Sequence, residues 1–288
     1  MFKNCINLKH IDFSSWDTSS ILTFYDFLFG CSSLTEVDVS NFNTSNCTSL
    51  FRMFCTYGNL KHIIGLENFD TKKCLNFAGM FQSSGLETVD VSSFDTSNAT
   101  RINYMFGGNY SLKEIIGLEN FVTDKILDMN CLFTGDASLT ELNLSSFSSK
   151  SLKNTKDMFS YCANLKKIYT TANFNMPASI ESNNMFYRCT SLVGGAGTVY
   201  DPTFIDATPA HIDGGSENPG YFTDIKDKPA ESVADQTTSD ETAIDVSTAG
   251  DYIEDESQEQ QIETTAPAPA VTPSADNSDD EEGTGTNN

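Results

Sequence analysis

Histidines, carboxylates and cysteines are the side chains of this sequence that could do chemistry. The histidines are His10, His62 and His211. His10 and His62 occupy the same place in a repeated motif two copies apart, roughly 10 Å along a sheet with about 4.8 Å between strands. That is too far for a shared ligand, and no second group recurs beside either in a nucleophile–base arrangement. No catalytic residue, cofactor or metal is therefore expected. A calcium site needs six or more converging oxygens, and the chain carries no calcium-loop pattern. Eight cysteines include no Cys-x-x-Cys pair, so zinc and dithiol chemistry lack their usual spacing. Cys5, Cys31, Cys162 and Cys189 each precede a recurring leucine by three residues. Cysteine there acts as a small buried hydrophobe in a tight turn, or bridges neighbouring copies under oxidising conditions.

The carboxylates point instead to binding. Asp12, Asp38 and Asp90 alternate with apolar residues in short strand-like stretches, and Ile64, Ile116, Asn143 and Tyr169 stand at matching positions. Glu36, Glu114 and Glu141 flank them, with His10, His62, Thr88 and Lys167 in the same register. A row of acidic, apolar and aromatic side chains on the open face of a rigid sheet suits a protein or glycan partner; the same row also fits solvated strand positions. The candidate partner-binding residues are Asp12, Glu36, Asp38, His62, Ile64, Asp90, Glu114, Ile116, Glu141, Asn143 and Tyr169.

What must position these residues is a repeat. Phenylalanine returns every 25 to 27 residues at Phe2, Phe29, Phe54, Phe81, Phe106, Phe133, Phe159 and Phe186, usually after methionine. A leucine ladder (Leu8, Leu34, Leu60, Leu86, Leu112, Leu139, Leu165, Leu192) and an aromatic one (Trp16, Phe42, Phe69, Phe94, Phe121, Phe147, Phe174) keep the same period. Three apolar ladders at one period describe a unit that buries its apolar face only against copies of itself. In the copy from Cys31 to Phe54, Leu34, Val37 and Val39 match a Leu-x-x-Leu-x-Leu pattern, which predicts a strand over about 35–40. Thr44 or Ser45 then caps a predicted short helix, with Cys47, Leu50 and Phe54 on one face at steps of three and four. The expected fold class is α/β: a leucine-rich-repeat-like solenoid with a parallel sheet on one face and short helices on the other. Two versions of the unit alternate. Leu60–Phe69 and Leu112–Phe121 carry one extra residue, which Gly65 and Gly117 are expected to absorb as a bulge.

The repeats are expected to span residues 1–192, a capping segment 193–223, and a disordered acidic tail 224–288. Of the net charge of −23, that tail carries −16 (two lysines against 18 acidic residues). No basic footprint for nucleic acid or an anionic membrane is present, and no apolar run approaches the roughly 18–20 residues of a membrane span. The chain opens within a repeat at Met1-Phe2 and shows no secretory leader, so an export signal is expected upstream. Asn-x-Ser/Thr triplets at Asn43, Asn46, Asn98, Asn109 and Asn143 read as turn and cap chemistry rather than glycan acceptors.

Phe42-Asn-Thr-Ser-Asn-Cys-Thr and Phe94-Asp-Thr-Ser-Asn-Ala-Thr, with the recurring Met-Phe followed by Cys-Ser-Ser-Leu or Cys-Thr-Ser-Leu, resemble the BspA-like leucine-rich repeats of bacterial surface proteins and lipoproteins. The resemblance covers residues 1–192, and Gly194-Gly-Ala-Gly through Asn218-Pro-Gly-Tyr-Phe-Thr resembles the segment that closes such arrays. It implies a non-enzymatic, extracellular or cell-surface adhesion module acting as a monomer on a host or matrix protein or glycan. A structural spacer holding another domain away from the envelope is the alternative.

Overall fold

A computed structural model describes residues 1–177 and 179–230. The described fold lies in the unit Met1–Ser232; the expected acidic tail beyond residue 230 lies outside the described residues. The strands are short: β1 (Glu36–Asp38), β2 (His62–Ile64), β3 (Thr88–Asp90), β4 (Glu114–Ile116), β5 (Glu141–Asn143), β6 (Lys167–Thr170) and β7 (Thr223–Asp224). Every pairing among them is parallel, β1 with β2, β3 with β4, and β5 with β6 and then β7. The register follows the repeat, with Val37 opposite Ile63, Val89 opposite Ile115 and Leu142 opposite Ile168. The inward residue of each strand therefore lands on the inward residue of the next copy.

The ladders meet as columns. Phe54, Phe81, Phe106, Phe133, Phe159 and Phe186 stack with centroids 5.4–5.9 Å apart and ring planes within 12° of parallel. Each ring is almost wholly buried, so burial stabilises by about 1.5–3 kcal/mol per ring, with about 0.5–1.5 kcal/mol more per ring contact. A second column runs through Phe69–Phe94 and Phe121–Phe147, both at 6.3 Å. The column ends on the closing segment, where Phe222 stacks on Phe174 at 5.9 Å and Tyr221 sets its edge against Phe186 at 5.1 Å. That segment is pinned by Asp213, whose carboxylate accepts from the amides of Ala196, Thr198, Gly215 and Gly220 and from the Thr198 hydroxyl. It runs past the expected limit at Thr223, because β7 pairs with β6 and a 3₁₀ turn follows at Ile225–Asp227.

The predicted helices behind the strands are not there. Among the described residues the only helical elements are 3₁₀ turns of three residues each. After the strand the chain makes tight turns instead, closed by Cys47 N to Thr44 O (2.8 Å) and Met53 N to Leu50 O (3.1 Å). Alternate amides from Leu50 on donate to the next copy, Leu50 N to Asn76 O, Arg52 N to Ala78 O and Phe54 N to Met80 O, all within 3.0 Å, while Thr48 N donates to Leu22 O of the copy before. The result is a second parallel ladder, bridged in sequence through Thr23, Ser49, Asn76, Arg101, Asp128, Asn154 and Glu181. The residue before each turn closes is left-handed, as at Asp26 (φ 50), Arg52 (φ 52), Tyr104 (φ 59) and Asp157 (φ 54). A left-handed residue stops an α-helix at once and costs a non-glycine residue about 1–2 kcal/mol. It persists here because it turns the Arg52 and Phe54 amides to the following copy and the Phe51 and Met53 carbonyls to the Asp26 and Leu28 amides of the preceding one.

Thr44, predicted as a helix cap, does different work. Its hydroxyl donates to Asp70 O of the next copy at 3.0 Å. In the matching position Thr96 donates to Val122 O (3.1 Å) and accepts from Val122 N (2.8 Å), and Thr18, Thr71 and Thr123 repeat both bonds. These threonines are at most 2% exposed, and all but Thr44 satisfy two backbone groups that would otherwise be orphaned in the interior.

The extra residue of the longer copies is taken up as a left-handed glycine, Gly65 (φ 95) or Gly117 (φ 86), heading a 3₁₀ turn at Leu66–Asn68 or Leu118–Asn120, rather than as a bulge. Each glycine lies against the backbone of the preceding copy, where a Cβ would overlap Ser40 or Ser92. Asn68 and Asn120 fasten the same contact by donating to Ser40 O and Ser92 O. The long copy thus leans back on the short copy before it. Pairing holds within β1–β2 and β3–β4 and lapses between β2 and β3 and between β4 and β5.

Candidate functional site

The strand face carries most of the residues singled out from the sequence. Glu36, Asp38, His62, Ile64, Thr88, Asp90, Glu114, Ile116 and Glu141 are exposed there and Asn143 is half-exposed. Register sets Asp38 beside Ile64, Asp90 beside Ile116, and Glu36 beside His62. Asp12 is exposed but stands outside any strand. Tyr169 departs from expectation: it is only 5% exposed, because β7 pairs against it and Lys228 Nζ sits 5.8 Å from its ring. Burial, with the nearby Glu141 charge, pushes its phenol pKa up.

The lapses in pairing open two matching clefts. The first, about 520 Å³, lies between β2 and β3 and is lined by Ile64, Leu66 and Val89 with Glu36, His62, Glu67 and Asp90. The second, about 560 Å³, lies between β4 and β5 and is lined by Ile116, Leu118 and Leu142 with Glu114, Glu119, Glu141 and Lys228. Ile64 and Ile116 are each 43% exposed, an apolar floor open to solvent in the same register of each cleft.

Electrostatics separates the carboxylates into two groups. Glu87 sits between Lys61 (3.5 Å) and Lys113 (2.9 Å), and hydrogen bonding to Lys113, with the charges of both lysines, holds its pKa below the ordinary value. Asp38 is likewise held down by the hydroxyl and amide of Ser40. Glu141 has Lys228 at 3.9 Å. Glu36, Glu67, Glu114 and Glu119 form no ion pair or side-chain hydrogen bond among the described residues, which leaves two unneutralised carboxylates at each cleft. Glu67 and Glu119 were missed from the sequence, although Leu-Glu-Asn recurs at 66–68 and 118–120 directly after each extra glycine.

The cysteines are free, and all but Cys5 are buried. Cys31, Cys162 and Cys189 donate their thiols to Phe2 O, Phe133 O and Phe159 O, each at 3.0 Å. Burial pushes the Cys55, Cys74 and Cys189 thiols up to about 12, so they are not poised as nucleophiles. No group of three or more His, Cys, Asp or Glu side chains is placed to hold a metal among the described residues. Asn109 of the Asn-x-Ser/Thr triplets is 1% exposed, so its amide serves the interior.

Short parallel strand pairs, few and short helical turns, and an open acidic and apolar face define a tandem-repeat protein of mixed α/β character. The chain belongs to the family described as "Mycoplasma protein of unknown function, DUF285", whose model matches residues 1–117 and 84–197. No curated protein and no solved structure matches it. Among the described residues no helix is long and apolar enough to cross a membrane.

Proposed function

We propose that this chain is a non-enzymatic binding module, a solenoid of BspA-like leucine-rich character that offers its strand face to a protein or glycan partner at the cell surface. The observation that carries the proposal is the pair of clefts, each with a 43% exposed isoleucine at its floor and acidic side chains at its rim. Apolar surface held open on a rigid backing and ringed by polar groups is the common anatomy of a docking site. The surface placement and the monomeric state rest on the BspA-like resemblance. Binding to immobilised matrix proteins and arrayed glycans, compared between the wild type and Ile64→Arg/Ile116→Arg, tests it. The double variant should keep its circular dichroism spectrum and lose at least about tenfold in affinity, as expected for removal of central contacts. Unchanged binding in the folded variant would hand the function to the spacer alternative.

A further inference from the structure

The clefts are alike in more than their floors, and their likeness specifies an occupant. Ile64 with Glu67 in one and Ile116 with Glu119 in the other stand at matching positions, and each cleft has one further carboxylate without an ion pair, Glu36 from β1 at the first and Glu114 from β4 at the second. A lysine or arginine side chain has the complementary build, an aliphatic stem that covers apolar surface and a charged head that reaches past it. Of the lysines that line the clefts, Lys61 and Lys113 are both turned to Glu87, and Lys228, at the second, sits 3.9 Å from Glu141 and 5.8 Å from the Tyr169 ring. Equivalent residues of the two clefts are two copies apart, about 10 Å where strands pair and a little more along the phenylalanine column, which advances 5.8 Å and then 5.9 Å over two copies. A polyproline-II segment returns every third side chain to the same side after about 9.3 Å.

We propose that the two clefts together bind an extended basic peptide segment that presents arginine or lysine at every third residue, one side chain per cleft. The inference rests on the strand-face docking reading and names the chemistry of its partner. Occupying both clefts with one segment makes the second contact intramolecular, so affinity depends on spacing as well as on charge.

Fluorescence anisotropy of the full chain with two labelled peptides tests this, one of repeated Pro-Pro-Arg units and one of identical composition with its arginines clustered at one end. At about 0.15 M salt, where exposed charges farther apart than about 8 Å are largely screened, the spaced peptide should bind at least about tenfold more tightly. Glu67→Gln should remove that advantage without altering the fold, since Glu67 is exposed and without an ion pair. Glu67→Gln/Glu119→Gln should bring both peptides to one weak, salt-sensitive level. Equal affinity of the two peptides for the wild type, or a preference that survives in the double variant, would overturn the inference. If the peptides bind equally while Ile64→Arg/Ile116→Arg still abolishes capture by a matrix protein or glycan, this inference falls and the docking reading stands. A spacing preference lost in Glu67→Gln, in a chain that captures no arrayed ligand, supports the inference and rejects the broader range of partners.

Discussion

Replacing Asp136 by asparagine should stabilise the protein, and more so as pH rises. Asp136 is wholly buried. Its Oδ1 accepts from Asn109 N at 2.9 Å, while Oδ2 has no partner. Burial pushes the carboxyl pKa well above its ordinary value, and the Asn109 amide opposes this only in part. The folded state therefore holds the proton more tightly than the unfolded chain. The contribution of Asp136 is fullest below the unfolded value near 3.9 and is lost as pH climbs toward the raised folded value. Asn109, one copy earlier in the same column, shows what an amide does there: its Nδ2 donates to Phe81 O and Phe106 O while its Oδ1 accepts from Ser84 and Gly85. By the same geometry Asp136→Asn turns an orphaned acceptor into a donor facing Phe106 O and Phe133 O. Relieving one unsatisfied buried group amounts to about 1–3 kcal/mol, and each kcal/mol moves the melting temperature by about 2–4 °C in a domain of this size. Urea titrations of both chains from pH 4 to pH 8, followed by circular dichroism, read the difference; carboxylates common to both cancel. A stability difference independent of pH, or a variant weaker than the wild type at pH 8, would refute the reasoning.

Thr96→Val keeps the shape of a buried side chain but strands Val122 N and Val122 O, and it should cost about 2–3 kcal/mol in urea unfolding, with Thr96→Ser losing under about 1 kcal/mol. Gly117→Ala places a Cβ on the Ser92 backbone at φ 86. It should cost more than the about 1–2 kcal/mol of a left-handed residue alone and speed hydrogen exchange at Val91, whose amide bonds to Ile116 O. At Asp213, burial pushes the pKa up, but the amide and hydroxyl of Thr198 and the amides of Gly215 and Gly220 outweigh it and bring it to about 2. Its contribution is present above the ordinary value near 3.8 and lost as pH falls through about 2. Asp213→Asn should therefore lower the melting temperature at pH 7 by an amount that vanishes toward pH 2 in differential scanning fluorimetry.

The columns and the strand register were legible because stacking repeats the same demand in every copy. A position that faces inward once must face inward each time, so Leu34, Val37 and Phe54 announce themselves by recurrence. The turn ladder was not legible. Cys47, Leu50 and Phe54 stand at steps of three and four, and that spacing describes a helical face and a run of inward-pointing tight turns equally well. Hydrogen-bond partners a full copy away decide between them, and no window of local sequence contains them. The left-handed sites hide for a related reason. Glycine marks only Gly79 in the column that also holds Asp26, Arg52, Tyr104, Cys131, Asp157 and Asn184, so the tertiary ladder overrides the usual preference at the other positions.

The candidate site shows the same division. Alternation within a strand fixes which residues face out, and it placed Asp38, Ile64, Asp90 and Ile116 on one face correctly. It carries no information about where pairing lapses, which is just beyond the long copies that Gly65 and Gly117 set against the short ones before them. Nor does it foresee a cover that arrives later in the chain, which is why Tyr169 reads as exposed until β7, more than fifty residues on, closes over it. The two-copy alternation nevertheless ties the pair of clefts to one visible sequence feature. The inserted glycine and the Leu-Glu-Asn that follows recur at an interval of 52 residues (65 to 117), so whatever one insertion builds, the other must build again. A surface feature repeated at that interval on a rigid stack is spaced by the backbone rather than by side-chain chance, and regular spacing is what a partner with its own period can read.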